Sequence, residues 1–283
     1  MKNIWILARM TFREAIRRRI VLTGLVLGIC FLAIFSIGFH MIYVAASAAT
    51  DRAGQAAARV IQSESINFID LAGLYAVTFL SIAMGALLGA DTLAGEINSG
   101  TIQTIVTKPV RRSDVVLGKW FGFAFLLAVY SLLMAGGTVL SVLIQSGYTP
   151  PNLLAGLALI YLEALLIMTL SLTFSSALSG LATGGVVFGL YGLAFIGGWI
   201  EQIGSVLQNQ TAINVGIVSS LIIPSEALWR RASFEMQSPL AGALGMTPFS
   251  AVSVPSTLMI LYAVLYLLIS LSVAVNVFKN RDL

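Results

Sequence analysis

Residues 89–120 read GADTLAGEINSGTIQTIVTKPVRRSDVVLGKW and interrupt a chain that is otherwise mostly apolar. Asp91, Glu96 and Asp114, with Lys108, Arg111, Arg112 and Lys119, place three carboxylates and four bases between two long apolar runs. Hydrocarbon does not tolerate such a cluster, so the stretch reads as a polar connection between two membrane spans.

The surrounding composition agrees. Of 283 residues, 58% are hydrophobic and 10% charged, with a mean hydropathy of +0.94, whereas soluble domains carry roughly 25% charged residues. The apolar residues come in blocks rather than in period-2 alternation, which points away from a barrel and toward an all-α membrane protein. A span needs about 20 apolar residues. Residues 21–46, 69–90, 120–144, 153–174, 178–200 and 254–278 meet that length, giving six spans in a single transmembrane domain over 1–283. Between the fourth and fifth spans, SSALSG permits a tight helical hairpin.

Basic residues choose the orientation. Lys2, Arg9, Arg13, Arg17, Arg18 and Arg19, the four bases of the opening stretch, and Lys279 and Arg281 fall on one side. Only Arg52, Arg59, Arg230 and Arg231 fall on the other, and the excess places both termini in the cytoplasm of a multi-pass plasma-membrane protein. The pI near 9.4 therefore reflects orientation signals at span ends rather than a nucleic-acid surface. A cleaved leader is disfavoured, because the first apolar run far exceeds a signal peptide's h-region of about 7–15 residues. Within residues 1–20, bases recur at Arg9, Arg13 and Arg17, with Ile4, Ala8, Phe12, Ala15 and Ile16 as apolar positions. This predicts an amphipathic elbow helix on the inner leaflet, its bases near anionic lipid headgroups.

In the connection of residues 91–119, Gly100 suits a helix C-terminus and Thr101 an N-cap. A two-turn helix over 102–107 would then stop ahead of Pro109. Ile102, Ile105 and Val106 would face the membrane, with Gln103, Thr104 and Thr107 outward. Physics alone leaves two readings open, a rigid knob for a soluble partner or an ordinary polar turn.

The stretch resembles the cytoplasmic signature of ABC-2 type permeases, the membrane subunits of type V ABC transporters. Those carry an acidic cluster, Gly-Thr, apolar residues, Pro, one or more Arg, and Gly-Lys. The matching residues are Glu96, Gly100, Thr101, Ile102, Ile105, Pro109, Arg112, Gly118 and Lys119, beside Arg111. Asn98 and Ser99 stand where the family commonly has acidic residues, so the acidic part rests on Glu96. The resemblance implies a coupling helix seated on a separate ATP-binding subunit, present in two copies and holding ATP and Mg. It also implies a second permease subunit, identical or not, and a cavity suited to lipids or amphiphiles. The chain itself has no P-loop at this site: Gly118-Lys119 is followed by Trp120, and Ser113 occupies the first glycine position.

The segment 201–253 is too apolar for a solvated loop, yet its run 212–223 is too short to cross. Ile213, Ile217 and Leu221, a break at Pro224 and a start at Ser225-Glu226 predict a pair of short outer helices, serving as a cap, a gate or a dock for an extracytoplasmic partner. PSEALWRRASFEMQ, residues 224–237, resembles the permease branch linked to multicopper-enzyme maturation. Glu163 is the one carboxylate placed deep in a span, a candidate polar site by default; it must be protonated, water-facing or bonded to hydroxyls such as Tyr130 or Ser171. The glycines of Gly180-x-x-x-Gly184 and Gly185-x-x-x-Gly189 are expected to allow close helix approach. His40 reads as an interfacial residue and Cys30 as small packing; one histidine and one cysteine supply no metal set.

Other classes compete less well. An ion-coupled carrier built on Glu163 would be expected to show internal repeats, and none is evident. An intramembrane hydrolase lacks a nucleophile motif beside a histidine. A mechanical variant, in which the coupling helix drives the outer segment against a partner without cargo, needs the same residues as export.

Overall fold

The computed structural model describes residues 2–50, 55–90, 92–98, 111–238 and 253–280. All secondary structure among them is helical. The elements are α1 (Lys2–Ile16), α2 (Arg19–Thr50), α3 (Gln55–Ala90), α4 (Thr92–Asn98), α5 (Arg112–Ser146), α6 (Leu153–Ser175), α7 (Gly180–Val206), α8 (Gln210–Ile222), α9 (Ser225–Met236) and α10 (Thr257–Lys279). Six helices are long and apolar enough to cross a membrane, seven if the α8–α9 pair counts as one broken span.

α1 buries a helical stripe. Ala8 and Ala15 are buried and Ile4, Leu7, Thr11 and Phe12 half-buried, the i, i+3, i+4, i+7 spacing of one face. That face lies on the opening of α5, where Phe12 meets Phe125 edge-on at 5.1 Å. Arg9, Arg13 and Arg17 stay exposed, as their spacing predicts. Ile16 does not join the stripe; it is exposed, as are Trp5, Ile6 and Met10.

α6 is the hub, packed by α3, α5, α7, α9 and α10. Its face toward α3 is close because α3 offers glycines: a Cβ on Gly85 would lie 2.9 Å from the Ala164 carbonyl oxygen, and one on Gly89 2.6 Å from Ser171 Cβ. Ser171 Oγ uses that proximity to donate to the Ala86 carbonyl at 2.6 Å. Leu74 and Ile82 of α3, Leu127 and Met134 of α5, Leu166 and Met168 of α6, and Trp229 of α9 make the common core.

α7 extends to Val206, past the expected end at 200, because Glu201 finds a buried partner described below. α8 and α9 form the expected pair, bent by 107°. Ile223 is extended (φ −142°, ψ 116°), as a residue before proline prefers. The glycine repeat of α7 behaves differently from expectation: side chains added at Gly184, Gly185 or Gly189 would meet nothing within 4 Å. Close approach occurs more than two turns further on, at Gly197 and Gly198 against α8 and α9.

A candidate coupling end and a buried polar centre

One end of the bundle gathers α1, α4, the opening of α5 and the last turns of α10. α4 is short but anchored: Leu93 and Ala94 are buried, and Leu93 packs with Val115 and Val116 of α5, Leu172 of α6 and Phe278 of α10. The backbone N–H groups of Leu93 and Ala94, orphans of a helix start, both donate to Ser175 Oγ at 3.2 and 3.1 Å. Thr92 Oγ1 donates to the Leu88 carbonyl and closes the corner from α3. The sequence showed Ser175 only as part of a turn; its role depends on α4 folding back onto α6.

Of the predicted coupling residues, Glu96 lies on α4. Gly100, Thr101, Ile102, Ile105 and Pro109 lie outside the described residues. Arg111 is the extended N-cap of α5 (φ −70°, ψ 139°), exposed and without a side-chain capping bond. Arg112 opens the helix and its Nη1 donates to the Lys279 carbonyl at 3.1 Å, tying α5 to the end of α10. A cavity of about 670 Å³ lies there, with Arg111, Arg112 and Lys279 around Val275 and Asn276.

Glu163 does not join this group. It is fully buried on α6, and neither carboxylate oxygen has a hydrogen-bond partner among the described residues. The hydroxyls suggested for it are engaged elsewhere: Ser171 on Ala86, and Tyr130 on the Gly24 carbonyl at 3.3 Å. Nor is it the one buried carboxylate. Asp70 on α3 is equally buried, with neither carboxylate oxygen bonded among the described residues, and Glu226 on α9 is buried with its Oε2 unbonded there. Glu163 lies within electrostatic range of Glu226 and Tyr191, and Tyr75 packs tilted against Trp229, ring centroids 4.8 Å apart, beside Glu226. The centre is thus acidic and aromatic; among the described residues no group of three or more His, Cys, Asp or Glu side chains is placed to hold a metal.

The opposite end carries the polar ties that sequence reading missed. Arg230, counted by charge as a loop base, is 1% exposed. Its Nη1 lies 2.5 Å from Glu201 Oε1 and its Nη2 donates to Ser220 Oγ at 3.1 Å, joining α7, α8 and α9. Asn67 of α3 donates to the Tyr148 hydroxyl at 2.7 Å and to the Met236 carbonyl at 3.1 Å. Burial pushes Tyr148 up to about 12, against the opposing pull of that Asn67 bond. Ser238 Oγ donates to Glu64. His40 sits near this end, 3.2 Å from Gln145 Oε1. No spacing in the sequence pairs residues 29 or 174 positions apart.

Comparison with known proteins accords with this architecture. Residues 5–283 match the family described as ABC-2 family transporter protein. The "Probable ABC transporter permease protein NosY" of Stutzerimonas stutzeri is 23% identical over 290 residues, covering 99% of each chain. The protein of the same name from Pseudomonas aeruginosa is 29% identical over 143 residues, covering 50% of this chain and 46% of that one. With a family match running from its fifth residue to its last, the chain belongs to the ABC-2 family of transporter proteins.

Proposed function

We propose that this chain is the permease half of an ATP-driven exporter, worked by two copies of a separate ATP-binding subunit that hold ATP and Mg, and paired with a second permease subunit. Both termini and the segment 91–119 face the cytoplasm, and Glu96, Gly100, Thr101, Ile102, Ile105, Pro109, Arg111 and Arg112 form the seat for the ATPase. The observation that carries this is the anchoring on both sides of residues 99–110. On one side α4 is packed into the bundle and bonded to Ser175; on the other α5 begins at once and is bonded to Lys279. A displacement of the intervening segment is therefore delivered to α3, α5 and α10 together, as a rigid-body input.

The test is co-purification of the tagged chain from its host in mild detergent, followed by an ATPase assay. Thr101→Pro and Glu96→Ala should bring permease-stimulated hydrolysis down to the level of the isolated ATPase, with membrane insertion unchanged. Normal coupling in both variants, or transport in liposomes driven by an ion gradient without ATP, would remove this reading.

A second reading is mechanical, with ATP hydrolysis moving the extracytoplasmic segment against a partner. It is favoured by the bonds that fasten α9 to α3 and α7, and by the resemblance of residues 224–237 to the branch linked to multicopper-enzyme maturation. Sealed proteoliposomes distinguish the two: ATP-dependent movement of a solute or lipid supports export, and its absence with ATPase coupling intact supports mechanical transmission.

A further inference from the structure

A cavity of about 620 Å³ opens on the flank of the bundle between α1 and α5 and is closed inward by Tyr161 of α6. From α1 it is lined by Trp5, Arg9 and Phe12, whose i, i+4, i+7 spacing puts them on one side of the helix. From α5 come Phe125 and Ala128. Depth along the groove follows from the packing. A Cβ on Gly122 would lie 2.7 Å from the Ala8 carbonyl oxygen, so Arg9 stands level with Gly122. Ala128 is six positions further along α5, or ~9 Å deeper at 1.5 Å per residue. The groove thus has a cationic rim at the level of Arg9 and an apolar shaft below it. Arg9 is exposed and makes no ion pair or hydrogen bond among the described residues. Arg13 and Arg17, equally exposed, do not line the cavity.

We infer that this groove is a seat for an anionic phospholipid, its phosphate on Arg9 and an acyl chain along Phe125 and Ala128. A cation beside an apolar channel on the membrane-facing flank selects a molecule with an anionic head on an apolar body. A free phosphate has no use for the shaft, and a zwitterionic lipid such as phosphatidylcholine brings its own cation, which competes with the guanidinium for the phosphate. The volume is in the range of ligand sites, about 300–1,000 Å³. Because α1 lies across the start of α5, the bound lipid braces the helix that follows the 99–110 segment. The inference does not depend on an ATP-binding partner.

The purified full-length chain, with phosphatidylglycerol or phosphatidylcholine added in detergent, tests it by native mass spectrometry. The wild type should retain phosphatidylglycerol over phosphatidylcholine by about five-fold, the factor matching ~1 kcal/mol for one base near a lipid surface. Arg9→Gln should abolish that preference and Arg13→Gln should leave it. Ala128→Trp, which fills the shaft, should lower retention of both lipids. Equal preference in wild type and Arg9→Gln would overturn the inference, as would full retention in Ala128→Trp. So would displacement of the lipid by inorganic phosphate alone, which would mark a site for free anions. Arg9 is exposed, so its substitution leaves the core untouched and the reading interpretable.

Discussion

Two buried charges show how different one ionisable residue can be from another in this bundle. Arg230 and Glu201 are both nearly inaccessible and face each other at 2.5 Å, so each compensates the other's desolvation. Removing one leaves the other stranded, at a cost of about 3–5 kcal/mol. Arg230→Ala should therefore lower the midpoint of thermal unfolding sharply, and adding Glu201→Gln should restore part of the loss; additive effects in the double variant would deny the pairing. Glu163 is the opposite case, with no bond to lose among the described residues. Glu163→Leu should raise stability by about 1–2 kcal/mol, because an unsatisfied buried polar group is replaced by an apolar one. A fall in stability on that change would mean that the carboxyl makes a structural bond. Retention of a destabilising side chain fits the pattern of functional sites, and the same variant should reduce ATPase coupling in the assembled complex.

At the scale of elements, the α7–α8 hairpin is held by small residues and a cap. A Cβ on Gly197 would fall 2.1 Å from Ser219 Oγ, so Gly197→Val must push α8 away. Overpacking of this kind costs about 1–3 kcal/mol, and increased protease cleavage near residues 207–209 is the expected sign. Asn209 Oδ1 accepts from the N–H groups of Thr211 and Ala212 at 3.1 and 3.2 Å. Asn209→Ala should destabilise α8 by about 1 kcal/mol, visible as faster amide exchange over its first turn alone. Uniform exchange along the helix would show that the cap contributes nothing.

For the whole molecule, the proposed orientation makes a prediction independent of any partner. In a Cys30→Ser background, a membrane-impermeant maleimide should label Gln208→Cys in intact cells and Asn280→Cys only after permeabilisation; the reverse pattern would turn the chain over and remove the coupling end from the cytoplasm. The sequence by itself determined the helical membrane class, the six apolar spans, the amphipathic first helix and the break at Pro224. Those features depend on local composition, on hydropathy over some 20 residues and on the geometry of proline, all of which act within one segment. It also carried the family, through Gly100-Thr101 and the residues around it. Only the tertiary structure decided that Ser175 receives α4, that Arg230 answers Glu201, that Asp70 and Glu226 join Glu163 among the buried carboxylates, and that Arg9 alone of its series borders a groove. The Arg230 and Ser175 pairings join residues 29 and 82 positions apart. They are fixed by which helix faces meet across the bundle, a choice that no local periodicity encodes.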